Sequence, residues 1–132
     1  EIPLRYRLTT HTGPGDDLTA TRFGLESTTP PIVLRDYLPT GERTGTFLEI
    51  AEGLPITVTA KPADDGDGII VRLQNIAADP VDVPLTIQSA KPSGATLTSP
   101  LEIDDTTVQI SGSTVVIPVG ARDIQSVRLR FA

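Results

Sequence analysis

Ile56-Thr57-Val58-Thr59-Ala60-Lys61-Pro62-Ala63-Asp64-Asp65-Gly66-Asp67-Gly68-Ile69-Ile70-Val71-Arg72-Leu73 decides the fold class. Its first five residues alternate β-branched apolar and polar side chains. A strand turns successive side chains to opposite faces, so this period of two reads as a strand with one wet face. Gly68–Leu73 is a denser apolar run, consistent with a central strand buried on both sides. Between them stands an acidic, glycine-containing segment. Asp-Gly tolerates the positive φ of tight turns, and the carboxylates keep the tip soluble, which makes the whole stretch a hairpin.

The same period extends outward. Leu4-Arg5-Tyr6-Arg7-Leu8 alternates apolar and basic residues, followed by Phe47, Leu48 and Ile50. Val81, Val83, Leu85 and Ile87 alternate with Asp82, Pro84 and Thr86. Val108 and Ile110, Val115-Val116-Ile117 and Val127-Arg128-Leu129-Arg130-Phe131 complete the set. Eleven Gly and twelve Pro residues in 132 supply turns between short strands, and helical patterning is almost absent. Such a series means an all-β sandwich or barrel. Pro84 and Pro118 each remove a ladder donor and belong on edge strands or at strand ends. Residues 9–20 and 36–46 read as surface loops, without an internal boundary, so residues 1–132 form one domain. The interior is expected to rest on Val58, Ile70, Leu73, Val83, Leu85, Val116 and Leu129. Leu4, Phe23, Tyr37, Phe47 and Phe131 are too few to fill a core and also cover an exposed face.

Composition excludes several function classes. Without Cys there is no disulfide framework, thiolate nucleophile or cysteine-ligated metal. A single His cannot build a two-His metal site or a histidine relay within the chain. Eleven basic against seventeen acidic residues, a net charge of −6, argues against nucleic-acid and anionic-membrane surfaces. No apolar run approaches the roughly 20 residues that span a bilayer. The chain also lacks Met, as expected of a piece of a larger protein. Absent Cys and signal features lean towards a bacterial-type cytoplasmic setting.

Three features can carry chemistry. Asp64, Asp65 and Asp67 cluster enough oxygens for calcium, but not at the spacing of a twelve-residue loop with a terminal Glu. A solvated turn and a partner contact are the other readings. His11, in a polar Thr-rich segment, can hydrogen-bond a ligand or act as a base, although it lacks a visible partner; a structural role is the plainer reading. Arg72 interrupts an apolar strand, so it needs a carboxylate, from the acidic turn or Glu102. Five aromatic residues, none of them Trp, offer few platforms for stacking sugars. No phosphate loop or nucleophile elbow occurs.

Lys61–Asn75 closely resembles the signature hairpin of the C-terminal β-domain of glycoside hydrolase family 38 α-mannosidases: Lys, a small residue or Pro, an acidic turn with Gly, then an aliphatic strand ending Arg-x-x-Asn. Four further stretches agree in order. Tyr6-x-Leu8-x-x-His11-x-Gly13 is similar to the family's Tyr-Ala-Leu-Tyr-Pro-His-x-Gly. Thr29-Pro30-Pro31-Ile32 falls where an Asn-x-Pro-Leu stretch stands. Ala95-Thr96-Leu97-Thr98-x-x-Leu101-Glu102 resembles the segment carrying Thr-Asn-Leu-Leu-Glu. Asp123-Ile124-Gln125-Ser126-Val127-Arg128-Leu129 resembles the closing Glu-Ile-x-Thr-Leu-x-Leu strand. Thr9 and Thr10 replace the usual Tyr-Pro, and Gln74 the usual aromatic before Asn75.

The resemblance implies an antiparallel immunoglobulin-like β-sandwich, the accessory C-terminal domain of a larger zinc-dependent retaining α-mannosidase. Nucleophile and zinc ligands lie elsewhere in such enzymes, so no catalytic residue and no metal ligand carries over. The partner it implies is the catalytic domain of the same polypeptide, and carbohydrate would be met through that domain. His11, Asp64, Asp65, Asp67 and Arg72 are the candidates for interdomain or carbohydrate contact, the acidic turn being free to project. The alternative is a free-standing carbohydrate-binding or adhesion-type sandwich.

If the acidic turn only turns the chain, millimolar calcium leaves the melting temperature unchanged. A calcium site at a hundredfold excess over its dissociation constant would add about 2.7 kcal/mol. A rise of many degrees that Asp67→Ala abolishes would establish the metal reading.

Overall fold

The computed structural model describes residues 6–29 and 45–132. The chain divides into two compact units, Glu1–Leu38 and Pro39–Ala132. Among the described residues the second contains nine strands: β1 (Leu48–Ile50), β2 (Ile56–Pro62), β3 (Ile69–Asn75), β4 (Val81–Ile87), β5 (Pro92–Thr98), β6 (Asp104–Thr107), β7 (Ile110–Ser111), β8 (Thr114–Val119) and β9 (Ile124–Phe131). They form a four-stranded sheet in the order β1-β4-β8-β7 and a five-stranded sheet in the order β2-β3-β9-β5-β6. Every pairing is antiparallel. The two sheets enclose one core, so the fold is the expected β-sandwich.

Alternation places that core. Val83, Leu85 and Ile87 on β4 face inward with Val115, Ile117 and Val119 on β8. Opposite them lie Val71 and Leu73 on β3, Ala95 on β5, and Val127 and Leu129 on β9. Phe47 and Phe131 meet at one end with ring centroids 6.1 Å apart and tilted by 47°, an arrangement suited to the ring quadrupole. Two expected core positions are misplaced. Val116 is 49% exposed, because its neighbours Val115 and Ile117 take the inner face, and a one-residue slip reverses every side chain. Ile70 is fully buried, yet outside the core cluster. It stands between Lys61 and Arg128 in the registers of β2–β3 and β3–β9, on the outer face. The dense β3 run is thus buried on both sides, as its sequence suggests.

Pro84 lies opposite Val116, and Pro118 opposite Asp82, inside the β4–β8 ladder. Both belong to strands with neighbours on either side. However, β1 reaches only Leu85–Ile87, and β7 only Thr114 and Val115. The flanks of both prolines are therefore locally sheet edges, where a missing donor costs least.

The first unit departs from the sequence reading. Asp17–Thr28 is an α-helix, α1, where residues 9–20 read as a loop. Its Asp16 cap explains it: the carboxylate accepts from the Thr19 amide at 2.7 Å and from the Thr19 hydroxyl at 2.8 Å, satisfying a donor that the first turn leaves open. No residue of α1 is buried, so there is no apolar stripe to betray it. Tyr6, Arg7 and Leu8 form no strand, and Tyr6 and Leu8 are almost fully exposed; alternation without a sheet to join does not make a strand. Readings that fall on Leu4, Arg5, Pro30–Ile32, Tyr37 and the remainder of 36–44 lie outside the described residues.

Gly68 fixes how the hairpin meets the sheet. Its φ is 93°, and a Cβ there would stand 2.2 Å from the Leu129 carbonyl oxygen. Gly68→Ala must therefore push β3 away from β9 at the middle of the larger sheet. We expect it to lower unfolding stability by more than about 2 kcal/mol, measured by urea denaturation.

Candidate functional site

The chemistry-bearing residues of the sandwich gather on the outer face of the five-stranded sheet. Registers place Lys61, Ile70, Arg128 and Thr96 in one row across β2, β3, β9 and β5. Thr59, Arg72, Ser126 and Thr98 form the next. Two loops fold over this face, the β2–β3 turn at 63–68 and the β5–β6 loop at 99–103.

The turn is the expected one. The Ala63 amide donates to the Gly68 carbonyl at 3.0 Å, and Gly66 to Ala63 at 2.9 Å. Asp65 accepts from the Asp67 amide at 2.9 Å, which bends the backbone tightly enough to need the positive φ of Gly66. In the second loop Glu102 takes φ 63°, uncommon for a residue with a side chain. That conformation turns its carboxylate inward, where it is 7% exposed. There it pairs with Lys61 and accepts from the Asp64 amide at 2.9 Å, tying one loop to the other.

Arg128 lies beneath both. Its side chain is 3% exposed, and all three guanidinium nitrogens are engaged. Nε donates to Asp104 at 2.9 Å. Nη1 donates to both Asp65 oxygens at 2.8 and 3.0 Å and to the Asp67 carbonyl at 2.9 Å. Nη2 donates to the Glu102 carbonyl at 3.0 Å. Arg130 adds a second tie, donating to Asp67 at 2.7 Å, to Asp104, and to Thr96 at 3.2 Å. Charge-assisted bonds of this kind favour the ionised forms. The Arg128 hydrogen bond holds the Asp65 carboxyl below the usual range, the Asp64 amide and Lys61 do so for Glu102, and Arg130 for Asp104. Both arginines are raised in turn, chiefly by Asp65 for Arg128 and by Asp67 for Arg130.

The residues singled out from the sequence thus divide. Asp64, Asp65 and Asp67 come together, each engaged by a different cation: Lys61, Arg128 and Arg130. The turn expected to project freely is bound back onto its own sheet. A buried, carboxylate-paired arginine exists, but it is Arg128 rather than Arg72. Arg72 is only half-buried and donates from Nη2 to the Pro100 carbonyl at 3.0 Å. His11 belongs to the other unit, exposed beside Gly15. Sequence reasoning missed Arg128 and Arg130, which alternate with apolar residues like any strand with a wet face. The signal available was two arginines on one face with an excess of acids to bind them. It also passed over Asn75, which is 1% exposed. Asn75 donates to the carbonyls of Asp79 and Gly120 and accepts from the Ala77 amide, joining two interstrand loops at the opposite end.

Removing the Arg128 charge leaves Asp65 without its cation and Asp104 with Arg130 alone. We expect Arg128→Ala to cost about 2–4 kcal/mol, less than a fully buried pair because the carboxylates left behind are partly solvated. Acid acts through the same contacts. Carboxyls with lowered folded pKa values stabilise the fold above their ordinary range, and that contribution disappears as pH falls through the lowered values. The melting temperature is expected to be level between about pH 7 and 5 and to fall below about pH 4, a fall that Asp65→Asn makes shallower.

No curated protein and no solved structure matches the chain. A family model does: residues 55–127, from the residue before β2 into β9, match the glycosyl hydrolases family 38 C-terminal beta sandwich domain.

Proposed function

Because the chain belongs to the glycosyl hydrolase family 38 C-terminal β-sandwich family, we propose that it is the accessory domain of an α-mannosidase-type glycoside hydrolase, docked on the catalytic domain of the same polypeptide and helping to shape its substrate cleft. The observation that carries this reading is what the acids do. Glycosidic cleavage by paired carboxylates needs one that can be protonated near neutral pH and another free to attack or activate water. Here Asp65, Glu102 and Asp104 are held ionised by cations and amides and spend their hydrogen-bonding capacity closing loops over a sheet. Among the described residues no three His, Cys, Asp or Glu side chains converge as metal ligands. In this reading zinc belongs to the catalytic domain, and no step runs through it here.

The test is a comparison of two proteins. The full polypeptide encoded with this chain should hydrolyse an aryl α-mannoside in a zinc-dependent manner, whereas residues 1–132 alone should not. Zinc-dependent turnover by the 132-residue chain would overturn the accessory role. An open reading frame without a catalytic region, together with saturable mannoside binding by the chain alone, would favour the free-standing carbohydrate-binding module.

A further inference from the structure

The outer face of the larger sheet carries four cations, and only three have acids. Lys61, Arg128 and Arg130 each pair with carboxylates. Arg72 meets none among the described residues. Its Nη2 holds the Pro100 carbonyl, while its Nε is buried without a hydrogen-bond partner. On a chain with a net charge of −6, which supplies acids to every other arginine of that face, this is a conspicuous omission. Beside it lies a groove of about 170 Å³ lined by Thr59, Ala60, Lys61, Ile70 and Arg72. That is below the roughly 300 Å³ at which small-molecule pockets begin, but it suits the end of one acidic side chain. Exposed aliphatic side chains lie nearby. The loop that Arg72 grips continues into Leu101, 82% exposed, and Ile103, 65% exposed. Ile124, 53% exposed, stands two residues before Ser126, the cross-strand partner of Arg72. An arginine with spare donors amid exposed aliphatic residues has the composition of an interface centre.

We propose that this surface is where the sandwich docks on the catalytic domain of its own polypeptide, with Arg72 receiving an aspartate or glutamate side chain and Leu101, Ile103 and Ile124 meeting aliphatic ones. The inference rests on the accessory-domain reading and adds the contact to it. The acidic turn is then part of the scaffold behind the interface: it holds Glu102, which anchors the loop that Leu101 and Ile103 ride on.

The test uses the full polypeptide. R72K places a primary amine at the groove, and a zero-length carbodiimide then couples it to any carboxylate in contact. Peptide mass spectrometry should find the introduced amine joined to an Asp or Glu of the catalytic domain. Lys61 joined to Asp64 or Glu102 serves as the internal standard for reaction. Coupling only within the sandwich, or to a second copy of the chain, would overturn the proposal. Hydroxyl-radical labelling reads the same surface without a variant. Leu101 should be labelled severalfold less in the native full polypeptide than after unfolding in urea, and R72E should remove most of that protection. Labelling of Leu101 equal in native and unfolded polypeptide would overturn the contact while leaving the accessory reading intact. A polypeptide with no catalytic region would overturn both.

Discussion

A guanidinium group almost shut off from water governs the outer half of this sandwich. Charge buried at the middle of a sheet is costly unless every donor is matched, and Arg128 sits on β9, the third of five strands. Its own sheet offers Asp104 from the edge strand. The remaining partners arrive on loops: a carboxylate and a carbonyl from the β2–β3 turn, and a carbonyl from the β5–β6 loop. The loops are consequently parts of a lid whose shape Arg128 dictates. Ile70, fully buried on the outer face, benefits, since an aliphatic side chain there would otherwise lie open to solvent.

The result is a five-stranded sheet packed on both faces by different chemistry. Inside, aliphatic side chains from β3, β5 and β9 meet those of β4 and β8 without direction or charge. Outside, the packing is polar, directional and stoichiometric, one cation for each acid of the turn. Polar networks of this kind give little net stability per pair, but they fix where two loops lie. Under the accessory role proposed above that distinction matters, because such a domain acts through the surface it presents. A lid fixed by hydrogen bonds at defined distances presents the same surface each time.

The sequence makes the apolar half of this design legible and leaves the polar half obscure. Period-two runs locate β2, β3, β4, β8 and β9, since burial of one face requires alternation. β5 escapes the same reading because Pro92, Ser93 and Gly94 look like turn residues. Its place is set by β9 alongside, where the register shifts between Pro92 and Gly94. β6, wholly exposed, has no apolar signal at all. Val116 shows the limit of an apolar run, in which three successive aliphatic residues do not say which two face inward. Confusing Arg72 with Arg128 has a similar origin. Interruption of an apolar strand marks a charge as out of place locally, but burial is decided by which loops fold over it, 26 to 63 residues away in the chain. The helix at Asp17–Thr28 was written in its cap rather than in any stripe.

The position of β9 bears on how the protein is made. Its neighbours β3 and β5 pair with it rather than with each other, so nothing synthesised earlier can take its place. Residues 48–119 can form hairpins and the smaller sheet as they leave the ribosome, but the larger sheet stays split in two, with Val71 and Ala95 open on their shared side, until Ile124–Phe131 emerges. The larger sheet is therefore half-built and edge-exposed until this strand has been made. Without it β3 and β5 would each keep an unpaired edge, the condition in which β-proteins aggregate.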